Sequence, residues 1–482
     1  MRKQKITVDE STLPFATISE LGNALRQRQI SCVELTKFFG ERLETQGPEY
    51  NALALSLLKD AKKAAKDVDW DLKHDRMRGP LQGIPFAVKD LLIVADYPTT
   101  WGAKPFANQV FDFDATAVRK LKAAKGILLG KLAMVELAGG GGYTSASASL
   151  QGPARNPWNK EYWAGGSSSG SGAAVGAGLV PYALGSETSG SIMTPACYCG
   201  VSGLRPTYGL VSRYGAMALS WTLDKIGVLA RSAEDCGLVL HELAGGDDDD
   251  PGSAQKSFYY SPQYYGNLNE LKIGYAEIDF AEWPSEALRP AFAQALAVVK
   301  TLGAQMVQTQ LPNFAYGPVI SCIIDSEAAS IFENLIRTGG VDQLADQGQI
   351  DGLKASMNYS AVDYLKSMRV RTQIQAAFRE LFANVDFLVA PTKLDLPDKA
   401  DGAFDETTPK RPDVKGVFAG LVQASNLCGL PALTVPCGFV NGLPIGLQIV
   451  GRPFSENRIL ALGVEFQKRT NFHKQQPGKT LT

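Results

Sequence analysis

Residues 164–196 read AGGSSSGSGAAVGAGLVPYALGSETSGSIMTPA, and seven of these 33 residues are serine. The serines fall into two clusters, which a run of small residues joins. Gly loses much conformational entropy on folding and neither residue packs much side chain, so such a stretch seldom serves stability alone. Small residues let the backbone approach a ligand closely, and a serine hydroxyl can act as a nucleophile. We therefore expect the chemical centre of the protein in this stretch.

The whole chain has the composition of an ordinary globular protein. Of its 482 residues, 45% are hydrophobic and 20% are charged, and 48 basic against 49 acidic residues leave a net charge of −1. This balance gives no overall electrostatic footprint for nucleic acid or for an anionic membrane. Residues 1–10 lack the apolar segment of a secretory signal, and no apolar run is long enough to span a bilayer. We expect a cytoplasmic protein with neither nucleic acid nor membrane as a partner.

Apolar runs alternate with helical patterns along most of the chain. This alternation predicts an α/β fold with a mixed central sheet and helices on both faces. Predicted strands cover 84–88, 126–130, 180–184, 207–212, 226–230, 271–276, 304–309, 387–391, 432–436 and 444–450. Predicted helices cover 20–30 (capped by Ser19), 31–43 (capped by Ser31), 57–66, 116–124, 173–179, 285–302, 316–338, 360–383, 414–426 and 456–468. Residues 67–78 read as a solvated loop, and the acidic run 247–250 reads as a solvated turn rather than a metal site.

A serine nucleophile at neutral pH needs a base, and histidine is scarce in this chain. His74 lies in a charged loop, His241 in a predicted apolar helix, and His473 near the C-terminus with no acid beside it. A structural or solvated role is favoured for each of them. Residues 166–170 fit the G-x-S-x-G pattern with Ser168 at its centre. A nucleophile elbow follows a strand, however, whereas turn formers precede this pattern. A triad of this kind therefore has no positive support.

Lysine is the other candidate base, because burial disfavours the charged amine and leaves it able to accept a proton. Lys89 follows the apolar run 84–88 and is the lysine best placed for burial. Lys256 completes an S-x-x-K pattern, but it lies in a polar loop without the companion motifs of that class. Neither a metal-ligand spacing nor a phosphate-binding loop occurs. The sequence therefore favours hydrolysis without cofactor or metal.

Several ordered motifs resemble the amidase signature family. They are GIPFAVKD at 83–90, GGSSSG at 165–170 and ETSGSI at 187–192. The family spaces its two catalytic serines 24 residues apart, as Ser167 and Ser191 are, and further similarity covers 200–215, 426–432 and 442–453. The resemblance implies the amidase signature fold over a single domain, 1–482. That domain would comprise a helical segment at about 1–70, a signature core at about 80–235 and a variable specificity region at about 250–425.

The same resemblance implies a role for each site residue. Ser191 would attack the substrate carbonyl and form an acyl-enzyme, while Lys89 would act as the base. Ser167, held in the family by a cis peptide, would relay the proton between them. The backbone N–H groups of Thr188, Ser189, Gly190 and Ser191 would form the oxyanion hole.

Two departures from the family pattern bear on the substrate. Ser189 replaces a glycine of the usual D-T-G-G-S turn, and Met193 stands where many members have an arginine. Loss of that cation removes a carboxylate anchor, although core packing is an equal alternative for Met193. Gly140, within the four glycines 139–142, is a further candidate substrate contact.

We therefore predict a stand-alone hydrolase, monomer or homodimer, that acts on a small and fairly apolar neutral amide. Carbamates (urethanes) and esters are related substrates, because they present the same carbonyl. The alternative is the A subunit of an aspartyl/glutamyl-tRNA amidotransferase, which works in a complex. A non-catalytic binding protein is disfavoured because all three triad positions are intact.

Overall fold

A computed structural model describes residues 11–261, 267–404 and 420–479. Within these ranges, eleven strands form one mixed sheet with helices on both faces, the predicted α/β fold. The strands are β1 (Leu53–Ser56), β2 (Pro85–Lys89), β3 (Ile127–Leu132), β4 (Tyr182–Glu187), β5 (Ser202–Arg205), β6 (Lys225–Ala230), β7 (Lys272–Tyr275), β8 (Gln305–Gln308), β9 (Phe387–Pro391), β10 (Ala432–Val440) and β11 (Leu443–Gly451). The helices are α1 (Ile18–Arg26), α2 (Cys32–Gln46), α3 (Leu58–Lys73), α4 (Thr116–Ala123), α5 (Ser169–Gly176), α6 (Met193–Cys199), α7 (Ala233–Leu243), α8 (Ile278–Ala281), α9 (Arg289–Lys300), α10 (Tyr316–Ile331), α11 (Glu333–Arg337), α12 (Gln347–Ser356), α13 (Ala361–Asn384), α14 (Leu421–Leu427) and α15 (Glu456–Lys468).

The strand order brings the two halves of the site together. It runs β1-β3-β2-β4-β6-β5-β10-β11-β9-β7-β8, with parallel pairs at β3-β2-β4 and β9-β7-β8 and antiparallel pairs elsewhere. In β2 and β4, Phe86 lies opposite Tyr182 and Val88 opposite Leu184. Because parallel strands run in the same direction, the carboxyl ends of β2 and β4 lie side by side. Lys89 is the last residue of β2, and β4 leads into the turn that precedes Ser191.

Small residues allow the two helices of the serine-rich stretch to pack closely. A methyl group added at Gly172 in α5 would lie 2.8 Å from Cβ of Pro195 in α6. At Gly170 it would lie 2.6 Å from the backbone nitrogen of Ala133. Separations under 3.0 Å require backbone movement, so the glycines of this stretch serve close packing as well as chemistry.

Local sequence patterns predicted several helices and strands well, but they failed where tertiary packing determines the secondary structure. Ser31 caps α2 through a capping box, as predicted, but Thr17 rather than Ser19 caps α1. The loop predicted at 67–78 is wrong in its first half, because α3 continues to Lys73 with Val68 buried on its inner face. No strand forms at 207–212. Residues 1–10 and the 414–419 part of the predicted helix 414–426 lie outside the described residues.

The acidic run 247–250 forms the predicted turn, and Asp248 and Asp249 are exposed, whereas Asp250 is not solvated. Asp250 is buried and accepts a hydrogen bond from the Arg213 backbone N–H at 2.8 Å. The Ser212 hydroxyl donates to Asp247 at 2.5 Å. In the described ranges, no three histidine, cysteine or acidic side chains are grouped so as to hold a metal ion. None of the helices that the structure describes combines the length and apolar character of a membrane span.

A buried ion pair joins β3 to the residue that follows β2, beside the site. The Lys131 amine on β3 lies 2.7 Å from a carboxylate oxygen of Asp90, and both side chains are almost fully buried. It also donates to the Thr99 hydroxyl at 2.6 Å and to the Pro98 carbonyl at 2.8 Å. Removing one partner of such a pair leaves an uncompensated buried charge.

We predict that Lys131→Ala lowers the free energy of unfolding by about 3–5 kcal/mol, because Asp90 loses its buried cation. Lys122→Ala is the matched control: Lys122 lies at the same distance, 2.7 Å, from Asp114, but that pair is partly exposed. The control should change the free energy by less than about 1 kcal/mol. Urea unfolding followed by circular dichroism measures both, and equal shifts for the two variants would contradict the prediction.

Candidate active site

The structure brings Lys89 and Ser167 together in the interior. The fully buried Lys89 amine donates to the Ser167 hydroxyl at 2.7 Å and to the Ser186 hydroxyl at 3.0 Å. Burial lowers the pKa of Lys89 to about 7, and the negative charges of Asp224 and Glu187 offset part of that effect. A substantial fraction of this amine is therefore neutral near neutral pH.

Backbone geometry fixes the first serine cluster against the sheet. The peptide bond between Gly166 and Ser167 is cis, as the family resemblance implies. The Ser168 hydroxyl donates to the Ser186 carbonyl at 3.1 Å and accepts from the Ser186 N–H at 3.2 Å. Ser168, the centre of the G-x-S-x-G pattern, thus joins the cluster to β4.

The turn after β4 presents Ser191 and a row of unpaired N–H groups. Ser191 is partly exposed, and its carbonyl accepts from the Ser168 N–H at 3.2 Å. Within the part of the chain that the structure describes, the Ser191 hydroxyl and the backbone N–H groups of residues 188–191 have no hydrogen-bond partner. Gly190 has a φ of +89°, a conformation that favours glycine. Successive unpaired N–H groups in such a turn form an anion-binding concavity.

A buried carboxylate holds this turn in shape. One Glu187 oxygen accepts from the backbone N–H of Ile192 at 2.8 Å and of Met193 at 3.0 Å. The other accepts from Arg205 at 2.6 Å and from Asn426 at 2.8 Å. Burial by itself would raise the pKa of Glu187, but Arg205 and these hydrogen bonds outweigh it and lower the pKa to about 2. The turn is thereby attached to both β5 and α14.

A second buried acid orients the start of the turn. Asp224 accepts from the Thr188 hydroxyl at 2.6 Å and from the backbone N–H groups of Leu219 and Ser220 at 2.8 and 3.0 Å. Burial raises the pKa of Asp224, although these hydrogen bonds oppose the shift. Asp224 therefore fixes the position of Thr188.

Two cavities flank the turn. The first, of about 150 Å³, has a largely apolar wall that includes Leu91, Met217, Leu219 and Trp221 and reaches Ser186 and Thr188. The second, which we call the polar cavity, has a volume of about 260 Å³. Its wall includes Ser189, Gly190, Lys393, Asp395, Gln423 and Gln448. A substrate carbonyl at Ser191 would thus have space on either side.

The amidase family profile matches residues 34–460, which is most of the chain. This chain belongs to the amidase family. It is 35% identical to the A subunit of glutamyl-tRNA(Gln) amidotransferase from Carboxydothermus hydrogenoformans, over 96% of this chain and 99% of the relative. It is 36% identical to the protein of the same name from Dechloromonas aromatica, again over 96% and 99%.

Three solved structures with 28–29% sequence identity have the same fold. A protein described in connection with the origins of an s-triazine catabolic enzyme has a TM-score of 0.86, 29% identity and coverage of 94% of this chain and 98% of that one. The peptide amidase of Stenotrophomonas maltophilia has a TM-score of 0.81 at 28% identity, with coverage of 95% and 97%. The A subunit of glutamyl-tRNA(Gln) amidotransferase from Thermotoga maritima has a TM-score of 0.73 at 28% identity, with coverage of 98% and 96%.

The two candidate substrate contacts, Gly140 and Met193, lie in packed positions. Met193 is fully buried, and its sulfur accepts a hydrogen bond from the Thr434 hydroxyl at 3.2 Å. Gly140 is buried too, and its carbonyl accepts from Gln349 in α12 at 3.0 Å. A methyl group at Gly140 would lie 2.8 Å from Leu219. Neither residue lines the two cavities, so the core-packing alternative describes Met193.

Sequence reasoning missed two residues beside Lys89 and the turn. Ser186 is the second acceptor for Lys89, and Asp224 supports Thr188. Ser186 lies in the serine-rich stretch, so the sequence marked it as a candidate hydroxyl. Its contact with Lys89 depends on the pairing of β2 with β4, which the sequence did not predict. Asp224 carries no local signal, because it stands alone before β6.

We predict that Glu187→Gln lowers the free energy of unfolding at pH 7 by roughly 3 kcal/mol, because Arg205 loses a buried counter-charge. The carboxylate is stabilising above the ordinary glutamate pKa, and this contribution disappears as the pH falls towards about 2. The stability difference between wild type and variant should therefore shrink from pH 5 to pH 2. Urea unfolding across this range measures it, and a difference that stays constant would contradict the assignment.

Proposed function

We propose that this chain cleaves the C–N bond of a carboxamide through an acyl-enzyme on Ser191. One observation carries the proposal: a buried lysine amine of lowered pKa is hydrogen-bonded to Ser167. The backbone of Ser168, in that same cluster, is hydrogen-bonded to the backbone of Ser191. Serine needs a base to act as a nucleophile, and a neutral lysine supplies one.

The proton would leave Ser191 through Ser167. As the Ser191 oxygen attacks the carbonyl carbon, its proton passes to the Ser167 hydroxyl, whose own proton passes to the lone pair of Lys89 across the 2.7 Å contact. Ser186 holds the amine from another side at 3.0 Å. The return path protonates the leaving nitrogen, and water then releases the acyl group by the same base catalysis.

The unpaired N–H groups of residues 188–191 would stabilise the oxyanion that this attack creates. Preorganised donors of this kind are effective because they do not reorganise during the reaction. Losing one such donor typically raises the barrier by about 3–4 kcal/mol. Asp224 supports these donors indirectly, through Thr188.

Two biological settings use this chemistry. The relatives at 35% and 36% identity are each named as the A subunit of an amidotransferase, which favours the amide-cleaving component of such a complex as the first candidate. Similarity to a subunit of a complex also counts against the prediction that the protein is a monomer or homodimer. The likeness to peptide amidase, with a TM-score of 0.81 against 0.73 for the Thermotoga protein, supports a stand-alone hydrolase as the second candidate. Lys393 and Gln448 beside the turn argue against a strictly apolar substrate.

Assays with and without partners distinguish the two settings. The purified chain is given a panel of amides, carbamates and esters alone, and then with the remaining components of a bacterial amidotransferase and glutamyl-tRNA(Gln). Turnover that requires the complex supports the amidotransferase component, and turnover by the chain alone supports the hydrolase. In both settings Ser191→Ala should abolish acyl-enzyme formation, detected by mass spectrometry. Undiminished turnover by Ser191→Ala would refute the nucleophile.

We predict that kcat/KM rises with pH and levels off above about pH 7, because only neutral Lys89 accepts the proton. Lys89→Met should lower kcat/KM by about 10²–10⁴-fold and remove this acid limb. Lys225→Met is a control for the loss of a buried lysine, since Lys225 contacts Asn426 instead of a serine. Persistence of the same acid limb in Lys89→Met would exclude Lys89 as the base.

A further inference from the structure

A groove along α13 shares no wall residue with the two cavities that flank the turn. We call it the α13 groove. One of its sides is a face of α13 that includes Phe378 and Phe382, and the other consists of Leu430 after α14 and of Arg452 and Pro453 after β11. Its volume is about 500 Å³. Proteins bind small molecules in clefts of roughly 300–1,000 Å³, so the α13 groove is large enough for a ligand.

The floor of the α13 groove is apolar. Phe378 and Phe382 lie one turn apart on α13, with their ring centres 6.3 Å from each other, and Leu430 belongs to the opposite side. Ala383 and Pro453 extend the apolar surface to the rim, where both are exposed. Hydrocarbon that binds to such a surface is stabilised roughly in proportion to the apolar area removed from water. The groove therefore suits an apolar group.

The rim of the α13 groove carries an excess of positive charge. Arg379 is exposed, and no carboxylate of the described residues lies within ion-pair distance of it. Arg452, whose side chain is 43% exposed, shares the Asp386 carboxylate with Arg458, at 3.5 and 3.3 Å. These three arginines therefore have one carboxylate between them. No acidic residue belongs to the wall as far as the structure describes it, so the rim attracts an anion.

The charge of Arg379 also acts on the opposite side of the groove. Burial raises the pKa of the Cys428 thiol in that side to about 12, and the positive charges of Arg371 and Arg379 oppose the shift. Arg371 donates to the Leu427 carbonyl at 2.7 Å, whereas Arg379 is left to bind a ligand. A guanidinium group binds a carboxylate through two parallel N–H···O hydrogen bonds. The groove thus combines an apolar floor with a carboxylate-binding group at its rim.

We propose that the α13 groove binds a small amphipathic carboxylate, with its hydrocarbon over Phe378 and Phe382 and its carboxylate at Arg379. An uncharged apolar molecule would leave the guanidinium group without a partner, and a simple anion would leave the apolar floor in water. Tight binding therefore needs both parts of the ligand. The site is separate from the acyl-enzyme chemistry proposed at Ser191, and binding to it is measured without turnover.

Isothermal titration calorimetry tests the site with 4-phenylbutanoate. The comparison probes are 4-phenylbutylammonium, which reverses the charge, and butanoate, which lacks the ring. Wild type should bind 4-phenylbutanoate roughly tenfold or more tightly than either of them. Arg379→Met keeps an apolar side chain but loses the charge, and it should raise the Kd for 4-phenylbutanoate by about tenfold. Arg337→Met is the matched control, since this exposed arginine pairs with Glu333 outside the groove.

Filling the groove is a second test, which leaves its charge unchanged. Ala383→Trp places a large side chain at the exposed rim and should abolish saturable binding. Ala361→Trp is its control, because Ala361 is the exposed first residue of the same helix and lies outside the groove. Circular dichroism checks that each variant is folded, and Arg379→Met decides the case if Ala383→Trp does not fold.

A carboxylate can also bind beside the turn, so Lys393→Met in the wall of the polar cavity is titrated too. Binding that is weakened in Arg379→Met but kept in Lys393→Met and in both controls supports the α13 groove. Binding that survives Arg379→Met unchanged, or that Lys393→Met removes, would refute it. Equal affinity for 4-phenylbutylammonium, or no saturable binding of 4-phenylbutanoate to the wild type, would overturn the proposal as well.

Discussion

The rest of the site depends on the hydrogen bonds that the buried Glu187 carboxylate accepts. It accepts four hydrogen bonds, from two backbone N–H groups after Ser191 and from the side chains of Arg205 and Asn426. The backbone between 188 and 191 is therefore free to direct its own N–H groups elsewhere, since the carboxylate supports the turn from behind. A charge this deeply buried is tolerated because Arg205 neutralises it and every remaining contact is a donor.

Three buried lysines show how differently the interior treats the same side chain. Lys131 pairs with Asp90 at 2.7 Å, and Lys225 donates to the Asn426 side chain at 2.6 Å. Lys89 alone among these three donates to hydroxyl groups of the serine-rich stretch. Burial lowers the pKa of each, and an adjacent carboxylate restores part of it for Lys131. A lysine held by neutral hydroxyls can exchange a proton with them, which an ion-paired lysine cannot do without losing its partner.

Local patterns predicted those parts of the fold that local forces determine. The predicted helix 456–468 and strand 387–391 agree with α15 and β9 to the residue. In both elements, the apolar residues that led to the prediction are buried in the folded protein. The burial of Lys89 also follows from its place after an apolar run. Its partner Ser167 came from family resemblance, whereas Ser186 depends on which strands pair. Strand pairing joins residues far apart in the chain, and periodicity carries no information about it.

The candidate active site and the wall of the polar cavity come from different parts of the chain. Lys89, the serine cluster and the turn all lie between residues 89 and 224, where the sequence motifs are dense. Lys393, Gln423 and Gln448 come from the second half of the sheet and from α14, and β11 brings Gln448 opposite β9. A change at these positions alters the polarity of the wall without touching the hydrogen bonds of Lys89 or Glu187. The fold can therefore keep the arrangement around Lys89 while the polarity of this wall varies.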